Sequence, residues 1–175
     1  MENIYVSNIE SNIGNIFIAS SDKGLVKVSI DCNKKNFIKS FINQNNLNIV
    51  FGNEVNKDIL TQVNTYLKGN LKKFNIDIDR ITIDTKVTDF QKKVLNVVKR
   101  IEYGKVKSYG QIAKEIGKPG ASRAVGNAIA KNHIPIVIPC HRVVKSDGTI
   151  GGFGGKEKRV GIKRRLLEIE GLELK

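Results

Sequence analysis

The apolar rhythm of this chain changes partway along, and that change sets its fold class. Up to residue 30 the apolar residues sit in short β-rich runs, at 4–9, 15–21 and 24–30, broken by Ser11-Asn12 and Asp22-Lys23-Gly24. From Thr88 onward they return at every third or fourth position: Val94, Leu95, Val97, Val98 and Ile101. One chain carrying both periods predicts an α+β protein with two parts. Residues 1–84 are expected to form a small support domain of antiparallel sheet and helices. Residues 85–175 are expected to form a mostly helical domain.

Within the first part, the runs at 15–21 and 24–30 read as a hairpin. Residues 34–44 place Phe37, Ile38, Phe41 and Ile42 at helical spacing, and residues 56–67 do the same with Ile59, Leu60, Val63 and Leu67 before a stop at Gly69. Residues 74–83 alternate as a strand or an extended linker. This half shows no repeat and no chemical motif, and Cys32 reads as a structural or incidental thiol.

The second part is denser in signals. Thr88 or Asp89 can cap the helix that runs to Ile101. Residues 108–117 form a short helix closed by glycine, Lys118-Pro119-Gly120 a tight turn, and residues 121–131 a helix of small residues, Ala121, Ser122, Ala124, Gly126, Ala128 and Ala130. Two short helices about a Gly/Pro turn are a helix-turn-helix signature. Small residues let a helix approach either a neighbouring helix or a DNA groove. Charge favours the groove. The first 84 residues carry a net +1 and the remaining 91 a net +12, the footprint of a polyanion partner on one half. A last helix at 158–170 would bury Val160, Ile162, Leu166, Leu167 and Ile169.

Between these helices lies Pro139-Cys140-His141-Arg142. A thiol attacks as its thiolate, and His141 can take a proton near neutral pH, directly or through a water. Arg142 adds positive field. Glycines 148, 151, 152, 154 and 155 then let backbone groups approach a flat ligand. Taken alone, a Cys-His pair is more often a buried structural cysteine than a nucleophile. Two cysteines cannot make a disulfide framework, and no CxxC clasp is present, so no metal site is expected. No apolar run reaches the roughly 18–20 residues of a membrane helix. MENIYVSNIE lacks a basic-then-apolar signal layout, so a cytoplasmic protein is expected.

Ile138-Pro139-Cys140-His141-Arg142-Val143-Val144 resembles the active-site signature of the O6-alkylguanine-DNA alkyltransferases. The resemblance runs from about Thr88 to Gly171, through Phe90-Gln91 and Val94, Ser108-Tyr109-Gly110, Ser122-Arg123-Ala124-Val125-Gly126, Asn132, Leu166-Leu167 and Glu170-Gly171. It implies a monomeric suicide repair protein that acts on double-stranded DNA containing O6-alkylguanine. The group moved is mainly methyl, with O4-alkylthymine a further substrate, and no cofactor is needed. Cys140 would accept the alkyl group. His141 would take its proton through a water, Glu170 would steady the imidazole, and Asn132 would brace the turn before the active-site strand. Tyr109 would turn the nucleotide out of the stack and bond the guanine, and Arg123 would fill the gap.

By the same resemblance Ser122, Ala124, Gly126, Asn127 and Lys131 would face DNA in the minor groove, a reading that also draws in Ala128. The carbonyls of Cys140 and Val143, with Phe153 and Gly154, would line the base pocket. Two departures stand out. The structural zinc site of some relatives has no ligand set here. Gly152-Phe153-Gly154 also replaces a tyrosine and a serine that frame the alkyl group in others. The competing readings are a non-catalytic module that binds alkylated DNA, and a Cys-His hydrolase that leaves the helix-turn-helix without purpose.

Overall fold

The computed structural model describes residues 2–41, 47–79, 87–155 and 159–174. The chain divides into two compact units, 1–85 and 86–175.

In the first unit, β1 (Glu2–Ser11), β2 (Gly14–Ser21) and β3 (Gly24–Ile30) form an antiparallel meander. β4 (Leu47–Phe51) joins β1 in parallel, giving the order β3-β2-β1-β4. The sheet is therefore dominated by antiparallel pairs but is not purely antiparallel. β4 went unrecognised because its outer positions are exposed, Phe51 at 47%, so it has no clear buried alternation. A parallel neighbour also needs a crossover that a local period does not reveal.

The hairpin at Asp22-Lys23-Gly24 depends on its glycine. Gly24 has φ +135°, and a Cβ there would lie 2.4 Å from the Asp77 carbonyl oxygen. That close approach lets residues 77–79 pair with Leu25: its N–H donates to Asp77 O at 2.7 Å and its carbonyl accepts from Asp79 N at 3.0 Å. Residues 80–83 of the expected extended run lie outside the described residues.

Strand alternation sends Phe17 and Ala19 to one face, where they meet Ile4, Val6, Val26 and the aromatic pair Phe37 and Phe41. Phe37 belongs to α1 (Lys34–Lys39), capped by the Asn33 side chain; the rest of the expected helix, at 42–44 with Ile42, lies outside the described residues. The other face carries Ile16, Ile18 and Ser20, all buried. Ser20 donates to Asn56 Oδ1 at 2.5 Å, and Asn56 Nδ2 donates to Tyr5 O and Ser7 Oγ. This fully buried amide fastens the start of α2 (Lys57–Leu67) to the strands. Gly69, at φ +77°, follows its end.

The second unit begins with α3 (Asp89–Lys99), whose Thr88 cap accepts from Gln91 N. Val94, Leu95, Val97 and Val98 bury its inner side. α4 (Tyr109–Glu115) starts with a full capping box between Ser108 and Gln111. Gly117 and the Lys118-Pro119-Gly120 turn lead to α5 (Ser122–Ala130), and α3, α4 and α5 pack on one another. Two short strands, β5 (Lys107–Ser108) and β6 (Val143–Val144), pair in parallel. They anchor the start of α4 beside the segment that follows Cys140.

α6 (Val160–Ile169) closes the unit. Its buried side differs from the expected stripe. Lys163, Leu166, Leu167 and Glu170 are buried, at helical spacing, whereas Val160, Ile162 and Ile169 are only half-buried. Two ionisable residues occupy the buried phase, which an apolar count passes over. Lys158, at the expected start of this helix, lies outside the described residues.

Candidate functional site

The segment before Cys140 is a turn, not the strand that the resemblance implied. Pro135 lacks an N–H and fixes its own φ, which disfavours a paired strand. The backbone closes locally instead, with Ile138 N donating to Ile134 O at 2.9 Å. Asn132 braces both ends: its Nδ2 donates to Ile138 O at 2.9 Å and its Oδ1 accepts from Ile134 N at 3.1 Å. Ile136, with φ +75°, holds a conformation that β-branched residues rarely adopt, and its side chain is buried. We expect Asn132→Ala to lower stability by about 1–3 kcal/mol, since the Ile134 N–H loses its partner and the Ile138 carbonyl keeps only the Cys140 N–H. Chemical denaturation checks this; a loss within error would show that the turn holds itself.

Cys140 opens a single 3-10 turn, Cys140–Arg142, and is 5% exposed. Burial pushes its thiol pKa up, and the Asn132 side chain and the Lys163 ammonium pull against that shift. The resting group is therefore a thiol, and a proton must leave before the sulfur can attack. The adjacent His141 is fully buried, with Nε2 2.7 Å from Glu170 Oε1. Burial lowers the His141 pKa, Glu170 raises it, and Arg142 and Lys163 lower it again. A carboxylate can only accept, so Nε2 carries the proton and Nδ1 the basic lone pair. The His141 ring is therefore neutral, with its orientation fixed by Glu170.

Glu170 caps α6, thirty positions after Cys140, and is held from several sides. Arg142 Nε and Nη2 donate to it at 2.9–3.1 Å, and the Gly104 N–H donates to Oε2 at 3.0 Å. Arg142 Nη1 reaches the Ile101 carbonyl at 2.5 Å. The guanidinium is thus committed to Glu170 and the end of α3. This corrects the role expected of Arg142: it acts on the carboxylate, and the cation that bears on Cys140 is Lys163.

Cys140 opens onto a pocket of about 140 Å³ that Tyr109, Gly126, Asn127, Phe153 and Gly154 also line. The Tyr109 ring lies between two glycines. A Cβ on Gly126 would stand 3.7 Å from the ring, and one on Gly151 3.5 Å from its hydroxyl. Burial, then Cys140, raises the Tyr109 pKa, so its hydroxyl stays protonated and can donate. Phe153 is buried and supplies an apolar wall; Gly154 is exposed at the rim.

The structure thus brings together Cys140, His141, Glu170, Asn132, Tyr109, Phe153, Gly154, Gly126 and Asn127. Val143 is buried, and its carbonyl accepts from Lys163 at 2.5 Å. Arg123, Ala124, Asn127 and Lys131 are exposed on or just after α5, with Ser122 half-buried at its start. Arg123 lies one turn before the pocket and does not line it. Ala128 is buried, so its small size serves the packing of α5 and not a DNA surface. His133 is exposed.

Sequence reasoning missed two residues, the Arg142 clamp and Lys163. Arg142 lay inside the quoted motif, but nothing in it names the carboxylate it would meet. Lys163 carried a signal: it precedes Leu166 and Leu167 by three and four positions, on the buried phase of α6. Among the described residues no group of three His, Cys, Asp or Glu could hold a metal ion, and no helix is long and apolar enough to cross a membrane.

Two family models match the chain. The 6-O-methylguanine DNA methyltransferase DNA binding domain covers residues 89–172, and the ribonuclease-like domain of the same protein covers 4–80. A methylated-DNA–protein-cysteine methyltransferase from Mycobacterium tuberculosis is 45% identical over 109 residues, or 62% of this chain. The match spans only 61% of that relative's length. One from Methanosarcina acetivorans is 43% identical over 110 residues, covering 63% of this chain and 65% of its own length. Among solved structures, the M. tuberculosis O6-methylguanine methyltransferase has a TM-score of 0.76 at 32% identity, covering 97% of this chain and 93% of its own. The same mycobacterial protein in complex with DNA has a TM-score of 0.76 at 32% identity, covering 96% and 92%. Both halves of the sequence and a full-length structural relative lead to one conclusion: this chain belongs to the 6-O-methylguanine DNA methyltransferase family.

Proposed function

We propose that this chain removes the alkyl group from O6-alkylguanine in duplex DNA and keeps it on Cys140. The observation that carries the reading is the joint lining of one pocket by Cys140, Tyr109 and Phe153, with Cys140 next to a His141 whose far ring nitrogen is held by Glu170. Relatives whose names specify methylated DNA and protein cysteine support the substrate class.

The chemistry follows from the groups present. Nδ1 of His141 takes the Cys140 proton through a water, and Glu170 steadies the imidazolium that results. The thiolate attacks the carbon on O6, a carbon–sulfur bond forms, the carbon–oxygen bond breaks, and guanine leaves with the electron pair and regains a proton. A thioether does not hydrolyse, so each molecule acts once. The alkylated carbon is out of reach inside a stacked duplex, so the nucleotide must be extruded at a cost of a few kcal/mol, lowest for a badly paired base. Tyr109 turns the nucleotide and bonds the base, and Arg123, exposed on α5, fills the vacancy. Ser122, Ala124, Asn127 and Lys131 contact the DNA beside it in the minor groove, where little sequence is read. Methyl is the main group moved, with O4-alkylthymine a second substrate. The protein acts as a cytoplasmic monomer.

Intact mass before and after incubation with O6-methylguanine DNA, followed by peptide mapping, tests the proposal. One methyl on the Cys140 peptide is the expected result. Lesion binding with no mass gain would replace the reading with a non-catalytic module that binds alkylated DNA. A separate test isolates extrusion. Arg123→Ala should slow repair of duplex DNA roughly tenfold or more while leaving reaction with free O6-benzylguanine close to the parent rate, since an inserted side chain offsets unstacking only when there is a stack. Equal losses on both substrates would remove Arg123 from that role.

A further inference from the structure

The loop that follows α3 closes on Glu170 and Arg142 through three of its residues. The Gly104 N–H donates to Glu170 Oε2 at 3.0 Å. A Cβ on Gly104, which has φ +71°, would stand 3.4 Å from the Glu170 carbonyl oxygen, so glycine lets the loop come this near. The Ile101 carbonyl accepts from Arg142, which in turn grips both carboxylate oxygens. The third residue is Tyr103, which has had no part so far and does not line the Cys140 pocket. Its hydroxyl donates to the Ile169 carbonyl at 2.7 Å, and its ring centre lies 5.9 Å from the guanidinium carbon of Arg142.

A helix end leaves its last carbonyls in need of donors from outside the helix. At the end of α6 the backbone supplies some of them: the Glu170 and Leu172 N–H groups go to the Leu167 carbonyl, and the Gly171 N–H to that of Glu168. Tyr103 takes the next carbonyl, which belongs to the peptide joining Ile169 to Glu170. Fixing that peptide fixes the backbone from which the carboxylate hangs. The aim of that carboxylate matters, because Oε1 faces rival donors. It meets His141 Nε2 at 2.7 Å, but Arg142 Nε and Nη2 also donate to it. A small turn of the peptide would leave the carboxylate on the guanidinium and carry it off the imidazole. Resting on the function proposed above, we infer that Tyr103 is a positioning residue that acts through Glu170: its hydroxyl holds the Ile169–Glu170 peptide so that the carboxylate faces His141 as well as Arg142. The hydroxyl stays a donor throughout. Burial, then the Glu170 charge, raises its pKa, so it keeps its proton.

The alternative is a plain cap, a tyrosine that adds stability to the end of α6 and nothing more. Tyr103→Phe separates the two, since it keeps the ring beside Arg142 and removes only the hydroxyl. An imidazole N–H bonded to a carboxylate gives a proton resonance far downfield, because the charged acceptor makes the bond short and strong. In protein carrying nitrogen-labelled histidine, the His141 Nε2–H resonance therefore reports the Glu170 contact without DNA or an alkylated base. In Tyr103→Phe this resonance should move upfield and broaden. Single-turnover transfer from O6-methylguanine DNA should slow roughly five- to tenfold, with the Kd for that DNA within about twofold of the parent's, because a misplaced carboxylate costs rate and not binding. An unmoved resonance, with only thermal stability lowered, would overturn the inference in favour of the cap. A parent-like transfer rate in Tyr103→Phe would overturn it too. Should the resonance move as expected while the parent chain itself gains no methyl on Cys140 from that DNA, the hold on Glu170 stands and the proposed function falls.

Discussion

Cys140→Ser should retain binding to O6-methylguanine DNA and transfer nothing. The substitution exchanges one atom for a smaller one of the same valence, so the Asn132 brace and the His141–Glu170 contact keep their partners. What changes is the nucleophile. A hydroxyl ionises far less readily than a thiol, and the neutral, buried His141 is a weak base. The pocket and the exposed face of α5 remain, so the Kd for lesion DNA should stay within a few-fold of the parent's. Mass spectrometry of the protein after incubation, beside a binding titration, reads both outcomes. Alkyl gain by the serine variant, located on any other residue, would show that the acceptor is misassigned.

The second large effect is energetic. Arg142→Met should lower the stability of the second unit by about 3–5 kcal/mol, the usual penalty for breaking a buried ion pair from one side. Glu170 would keep its Gly104 and His141 contacts but would lose the cation that balances its charge, and the Ile101 carbonyl would lose a donor. The double change Arg142→Met with Glu170→Leu should regain much of that stability, because neither charge of the pair is left behind without its partner. It should not regain activity, because His141 Nε2 then has no carboxylate to fix its tautomer or steady its charge. Chemical denaturation and single-turnover rates on O6-methylguanine DNA separate the two. A double variant as unstable as the single one would mean that the loss comes from packing; recovery of rate with stability would remove Glu170 from the relay.

How far the sequence reached can be judged element by element. Thr88, Ser108 and the glycines at 24, 69 and 117 are local signals: a cap needs only the next three residues, and a turn only its own φ. The first three strands, the helices about Lys118-Pro119-Gly120 and the helix starting after Asn56 follow from period and punctuation for the same reason. The seven residues around Cys140 also carried the family, because that motif is contiguous in the chain. β4 was missed because its pairing with β1 spans more than forty positions and its outer positions meet solvent. The strand that the resemblance implied before Cys140 is a turn, because Pro135 has no N–H to pair and the Asn132 side chain closes the backbone locally.

Sequence by itself supplied the candidates: the thiol of Cys140, one of two in the chain, the imidazole beside it, and a basic half suited to a polyanion. Tertiary structure decided in what state they wait. Whether Arg142 acts on the sulfur or on Glu170, and whether a lysine thirteen positions past Ile150 turns outward or lies beneath the pocket, depends on side chains that meet only after folding. Charge is identified by residue type, but its effect depends on burial and on the partner within a few ångströms, and both are properties of the packed interior.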